Sequence, residues 1–340
     1  MSAQITIKDI AKELEISPST VSRALKDHPD ISPKTKKAVN DLAEKLHYQP
    51  NSIALSLRKS KTNTIGIIIP EFVHFFFSTV ISGIEDVAYE KGYNVIISQS
   101  NESYEREVSD TRSMVSHRVD GLLVSVSKET RDFSHFKELI ERDIPLVFFD
   151  RMCSELNANS VVIDDFEAGF KAVEHLISTG KKNIAHLYGD LNLHICKNRY
   201  DGYRAALEKY GIPFNEDFAA YAGMLELDSA KELMNRLLDL PQRPDGVFAH
   251  NDVVAYGAMQ AIKERNIKIP EEIGVIGFSD WQFSSLVEPG LSSISQSGFE
   301  MGQAAARMFL DQIENEDENY VPQTKVIPTK LVVRGSTVKQ

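Results

Sequence analysis

Ser17, Ser19, Thr20, Ser22, Arg23 and Lys26 put four hydroxyls and two cations within ten residues, the chemistry of reading a hydrogen-bonded surface. On a helix, the 100° step per residue groups Ser19, Ser22, Arg23 and Lys26 on one side and Val21 and Leu25 on the other. A DNA major groove admits one helix and presents donors, acceptors and thymine methyls, so short hydroxyls plus an Arg near the helix start suit it. Thr20, on the flank, reaches either a base or a phosphate. The plainer reading of the same residues is a three-helix bundle with a solvated face.

Three capped segments must position that face. Thr6 with Asp9 forms a capping-box variant, and Ile7, Ile10, Ala11 and Leu14 mark the apolar side of a first helix. Ser17 is an N-cap with Pro18 at the first helical position, which predicts a second helix from Pro18 to about Lys26. Ser32-Pro33 repeats the signal, and Val39, Leu42, Ala43 and Leu46 form the stripe of a third helix that stops near Tyr48-Gln49-Pro50. Charge separates this head from the rest. Residues 1–61 hold 11 Lys and Arg against 7 Asp and Glu, a net of +4, whereas the remainder holds 27 against 42, a net of −15. A basic head neutralises phosphates, and an acidic body keeps the rest of the molecule off DNA. That asymmetry argues against the plain bundle.

Thr6-Ile7-Lys8-Asp9-Ile10-Ala11, Ser17-Pro18-Ser19-Thr20-Val21-Ser22-Arg23-Ala24-Leu25 and Tyr48-Gln49-Pro50-Asn51 resemble the head of the lac repressor and galactose repressor family. The resemblance continues more loosely over nearly the whole chain. It implies a helix-turn-helix domain over 1–50 and a hinge helix or linker over 51–61 that forms on DNA. Thr6, Ser17, Pro18, Ser19, Thr20, Ser22, Arg23, Lys26 and Tyr48 are the expected DNA contacts of the head; Asn51, Ala54 and Leu57 are those of the hinge. Leu57 is implied as a wedge at the centre of a palindromic operator, beside the same residue of a second subunit. An apolar wedge that unstacks a flexible step and kinks the duplex is physically sound. Ile53 and Leu57, four apart, also suit pairing of hinge with hinge.

The remaining 279 residues, 62–340, exceed one typical domain and predict two lobes. Apolar β-branched runs at Ile65–Ile69, Asn94–Ile97, Gly121–Val124 and Leu146–Phe149 alternate with helical stretches such as Ile81–Glu90 and Phe133–Glu141. A second series has strands at Ile184–Tyr188, Gly246–Ala249 and Val275–Phe278 and helices near Phe166–Ser178, Arg199–Tyr210, Ser229–Leu238 and Val253–Arg265. The expected fold class is α/β: an all-α helix-turn-helix head and a two-lobed body of parallel sheets. The resemblance likens that body to periplasmic sugar-binding proteins, with crossings near Asp164, Ser292 and Lys325. Lobe 1 is then about 62–163 with 292–324, and lobe 2 about 164–291 with 325–340.

Ligands bind at the carboxyl ends of such strands, so loops there supply the candidates. Arg199, expected at a helix start, offers a planar fork to hydroxyls or carbonyls, or forms a plain ion pair. By the family pattern Asn251 contacts an effector, while Asp252 is expected to cap the helix from Val253. Asp150 follows a strand, with a local Asp150–Arg151 charge pair as the plain alternative. Phe75-Phe76-Phe77 cannot all face one core; alignment to the family favours Phe77, then Phe76, for the cleft. Asp164 accepts from a ligand or caps a helix, and Asp165 is expected to cap one. Where many relatives carry an Asp, this chain has Ser279-Asp280-Trp281, and Leu225 stands where an aromatic is common. These departures leave the effector's identity open. Trp281 either stacks on a ligand ring or shields a lobe edge.

Enzyme chemistry has little support, since phosphate-loop, dinucleotide and paired metal-ligand His motifs are all missing. No metal or cofactor is expected. Two distant cysteines, Cys153 and Cys196, suit a reducing cytoplasm, and no run approaches a membrane span. The expected partners are double-stranded DNA, a small-molecule effector and a second copy of the chain, with no membrane. Among effectors a sugar or sugar phosphate leads; a purine and a phosphorylated carrier protein are alternatives, and a solute-binding protein without regulatory role is the reading from another class.

Overall fold

The computed structural model describes residues 5–48, 61–73, 75–223, 227–315 and 320–339. Contacts divide the chain into two units, Met1–Thr62 and Asn63–Gln340. In the first, helices α1 (Ile7–Glu13), α2 (Pro18–Ala24) and α3 (Pro33–Lys45) close on a small core of Ile10, Val21, Val39 and Leu42. The start signals act as their chemistry requires: Ser17 and Ser32 accept from the amides of Thr20 and Thr35 at 3.1 and 3.2 Å. At Thr6, both the amide and the hydroxyl donate to Asp9, at 2.8 and 2.7 Å. Helix α2 ends at Ala24, two residues before the expected Lys26, because Asp27 turns left-handed (φ 54°) and leads the chain away.

The second unit holds two six-stranded sheets. The first consists of β1 (Thr64–Ile69), β2 (Asn94–Gln99), β3 (Gly121–Val124), β4 (Leu146–Phe149), β5 (Asn159–Ile163) and β11 (Thr324–Ile327), in the order β11-β5-β4-β3-β1-β2 and all parallel. The second consists of β6 (Ile184–Tyr188), β7 (Ala219–Tyr221), β8 (Gly246–Ala249), β9 (Gly274–Ser279), β10 (Ser292–Ser295) and β12 (Lys330–Val332), in the order β12-β10-β9-β8-β6-β7. Only β12 is antiparallel, against β10. β3, β4, β5 and β8 are buried at every residue, as strands covered on both faces must be.

Helices α4 (Phe75–Glu90), α5 (Tyr104–Ser116), α6 (Ser134–Glu141) and α11 (Gly298–Glu314) cover the first sheet. Helices α7 (Asp165–Ser178), α8 (His194–Lys209), α9 (Leu227–Leu238) and α10 (Asp252–Glu264) belong to the second lobe. Glycine lets α7 and α8 cross at close range: a Cβ on Gly169 would lie 2.6 Å from the carbonyl oxygen of Arg199, and one on Gly202 would lie 2.2 Å from that of Phe166.

Strand pairing moves two of the three crossings. β10 pairs with β9, so Ser292 lies inside lobe 2 and the chain leaves after Ser295. β11 pairs with β5, so Lys325 lies inside lobe 1 and the return falls between Ile327 and Lys330. The hydrogen-bonding neighbour of a short strand is not legible in its local sequence.

Candidate functional site

In the head, the Ser17 hydroxyl lies 2.7 Å from that of Ser19 and 2.8 Å from that of Thr20, a cluster at the α2 N-terminus. Arg23 and Lys26 are exposed and Ser22 is half-buried; Val21 and Ala24 face the core. Thr6, Ser17, Pro18 and Ser19 are exposed and Thr20 is half-buried. The Tyr48 ring packs half-buried against the core, and burial raises its hydroxyl above the usual tyrosine range. Asn51, Ala54 and Leu57 lie outside the described residues, as does Leu225.

In the body, a cavity of about 50 Å³ opens at the carboxyl ends of the strands of both sheets. Phe76, Phe77, Asp150, Arg199, Asn251 and Ser279, all singled out from sequence, line it. So do Arg151, Cys196, His250 and Gln296, which were not.

Arg199 sits in the second turn of α8, because that helix begins at His194 and not at the arginine. Its Nε donates to Asp165 at 2.8 Å, a terminal nitrogen donates to the His250 carbonyl at 2.9 Å, and the guanidinium lies 3.6 Å from the centre of the Phe278 ring. Asp165 is therefore the buried partner of Arg199, and Asp164 is the cap, accepting from the Glu167 amide at 2.8 Å. Burial pushes the Asp165 carboxyl up to about 7 in spite of Arg199, and Asp150 raises it further. Exposed and committed to its helix, Asp164 does not line the cavity.

Asp150 ends β4 with φ 60°. Burial raises its pKa, with Arg151 and Arg199 opposing that rise. The alternative of a local pair with Arg151 gives way to another: Arg151 donates to Glu102 at 2.9 and 3.0 Å and to the Val126 carbonyl at 3.3 Å. Burial alone would raise Glu102, but Arg151 and the Lys128 amide hold it below the usual range. Phe77 packs edge-on to Phe149, with ring centres 6.4 Å apart, and Phe76 packs on Phe77 at 5.4 Å.

At the start of α10 the two expected roles change places in part. Asn251 is the cap, accepting from the Val254 amide at 2.9 Å, while it also lines the cavity. Asp252 is fully buried and accepts from the Ser293 and Ser284 hydroxyls and the Trp281 amide, at 2.7, 2.9 and 2.6 Å. That arrangement ties the β9–β10 loop to α10. Asp280 pairs with Arg334 at 2.8 Å, and neither Asp280 nor Trp281 lines the cavity. Ser279 donates to Gln296 at 2.7 Å. Gln296 follows β10 directly, so the strand-end rule finds it once β10 is known to end beside β9.

Residues 6–51 match the model of bacterial regulatory proteins of the lacI family, and residues 173–337 match a periplasmic binding protein-like domain. Catabolite control protein A of Priestia megaterium is 32% identical over 336 residues, covering 98% of this chain and 99% of that protein. The chain belongs to the lacI family. Two solved structures of this kind align with it over 98% of its length and 99% of theirs. The lac repressor dimer bound to operator and the anti-inducer ONPF is 25% identical with a TM-score of 0.87; the regulator CelR in complex with cellobiose is 27% identical with a TM-score of 0.74. As a lacI-family protein this chain is a DNA-binding transcriptional regulator with a helix-turn-helix head and a two-lobed effector-type body. Among the described residues no helix is long and apolar enough to cross a membrane.

Proposed function

We propose that this regulator represses transcription in the cytoplasm as a homodimer on a palindromic operator, and that an uncharged sugar in the cleft controls it. The observation that carries the effector class is the charge balance of the cleft. Arg199 is matched by Asp165 and Arg151 by Glu102, which leaves Asp150 in excess. A phosphate ester would find no unmatched cation among the described lining residues, whereas sugar hydroxyls can donate to Asp150 and accept from the guanidinium groups. Phe76 and Phe77 offer an apolar wall for a ring face. CelR, a relative in fold, is a cellobiose complex.

Mechanically, a ligand between the lobes changes their closure, and closure sets the spacing of the two hinge segments in a dimer. A hinge of eight residues, 51–58, is marginal as an isolated helix, so its formation depends on DNA and on the partner subunit. Effector and operator then influence each other's binding by the same factor.

Selection from a randomised duplex pool with the full chain, at stated salt, tests the DNA half. Enrichment of a two-fold symmetric site with a kinkable central step supports it; no enrichment with or without pooled sugars refutes it. Calorimetry with neutral sugars, their phosphates and purines tests the cleft. A phosphate ester or a purine binding better than every neutral sugar overturns the effector class.

A further inference from the structure

A second cavity, of about 290 Å³, lies within lobe 2 at the amino ends of β6 and β7, the opposite ends of the sheet from the cleft, and the two share no lining residue. Three rings wall it: Tyr203 from α8, Phe214 from the loop after α8 and Phe218 from the turn before β7. Tyr203 and Phe218 are buried, and the Tyr203 hydroxyl is committed within the wall, donating to the Ile184 carbonyl at 2.9 Å. Phe214 meets Tyr203 edge-on with ring centres 6.3 Å apart, and the Arg204 guanidinium lies 4.9 Å from the centre of the Phe214 ring. Arg204 lines a neighbouring groove that shares Leu207, Ile212 and Phe214 with the cavity, so these three divide one from the other.

The polar groups gather at the start of β6. The Asp245 carboxylate accepts from the Lys182 amide at 3.0 and 3.1 Å and from the Asn183 amide at 2.8 Å, which pins this stretch of backbone. Asn183 Oδ1 accepts from Gln242 Nε2 at 2.9 Å, so the Asn183 amide nitrogen remains as a donor toward a further partner. Among the described lining residues Lys182 alone is charged; it is exposed and makes no ion pair, and Asp245, spent on the two amides, does not line the cavity.

Shape and charge together select a ligand. A volume at the lower edge of the ~300–1,000 Å³ of small-molecule pockets holds one ring with a short arm. Aromatic walls favour an aromatic ring, met edge-to-face or offset. In the cleft each arginine is matched by a carboxylate, whereas here one lysine stands with no carboxylate in the lining. An acid group on the ring would gain a charge-assisted bond at Lys182, stronger than a neutral one.

We propose that this cavity is a second binding site, specific for a small aromatic carboxylate, with its ring among Tyr203, Phe214 and Phe218 and its acid group on Lys182 and the Asn183 amide. The assignment is independent of what the cleft binds.

Calorimetry on the full chain tests it with benzoate, 4-hydroxybenzoate and phenylacetate, with benzamide as the uncharged ring and acetate as the ringless acid. At least one aromatic acid is expected to bind the parent about tenfold or more tighter than either benzamide or acetate. Lys182→Gln, a change at an exposed side chain, should bring the acid down to the level of benzamide and leave benzamide itself unaffected, while Lys182→Arg keeps the preference. Phe214→Leu should weaken acid and amide by the same factor. If no aromatic acid binds better than acetate, the ligand class is wrong. Acid binding that survives Lys182→Gln undiminished places the ligand elsewhere and overturns the site. If Phe214→Leu fails to fold, the two Lys182 variants decide alone.

Discussion

Arg199 on α8 donates its Nε–H to the buried carboxylate of Asp165 at the start of α7, 2.8 Å away, so a cleft residue and a helix start share one ion pair. Arg199→Ala leaves Asp165 buried without its cation, a change that costs about 3–5 kcal/mol. The urea midpoint of the variant should fall accordingly. In the folded variant, operator affinity should hold and the effector response should vanish; a normal dose response would show that Arg199 has no part in ligand binding.

Gly169→Ala acts on the same arginine from behind. The new Cβ would lie 2.6 Å from the Arg199 carbonyl oxygen and 2.9 Å from its Cα, so α7 and α8 must separate. Overpacking of this kind costs about 1–3 kcal/mol, and moving Arg199 off its seat should weaken effector binding as well. Parent-like stability and affinity together would contradict the close approach.

Asp252 carries a pH signature. Burial raises its carboxyl to about 6 despite three hydrogen bonds to it, from an ordinary 3.8. The native state therefore holds a proton that the unfolded chain has released between those values, and stability must fall as pH rises through that window. The loss is up to about 3 kcal/mol, complete above the folded value. Asp252→Asn should flatten this component of the stability curve between pH 4 and 7. Identical pH slopes for parent and variant would sink the assignment.

For the head, Arg23→Ala should relax preference at one base position by about 1–3 kcal/mol, if this exposed cation reads a base edge. Lys26→Ala should instead weaken binding across all sequences and reduce the salt slope by about one. Binding isotherms on selected and scrambled duplexes at several salt concentrations separate the two roles. Two identical profiles would mean that neither residue reads bases.

Leu57→Ala should weaken binding to a selected operator while sugar affinity in the absence of DNA stays the same. Equal operator affinity for variant and parent excludes the wedge.

Local chemistry decided much of this protein before any fold was known. Ser17-Pro18 and Ser32-Pro33 start helices because a hydroxyl and a proline at those positions satisfy an end that no later contact can alter. The buried strands Gly121–Val124 and Leu146–Phe149 are legible for a similar reason: an unbroken apolar run must be covered on both faces. The residues at their ends, Asp150 among them, follow from the same rule. Tertiary structure decided pairings between residues far apart in sequence. Nothing local distinguishes Asp164 from Asp165 as cap and ion partner, or Asn251 from Asp252 as cap and buried acceptor, since each pair has the side chains for either role. Arg151 chose Glu102 over its neighbour Asp150 because the loop after β2 brings that carboxylate to it. Gln296 met Ser279 only when β10 took its place beside β9, for sheet neighbours are chosen by packing and hydrogen bonding across the whole lobe.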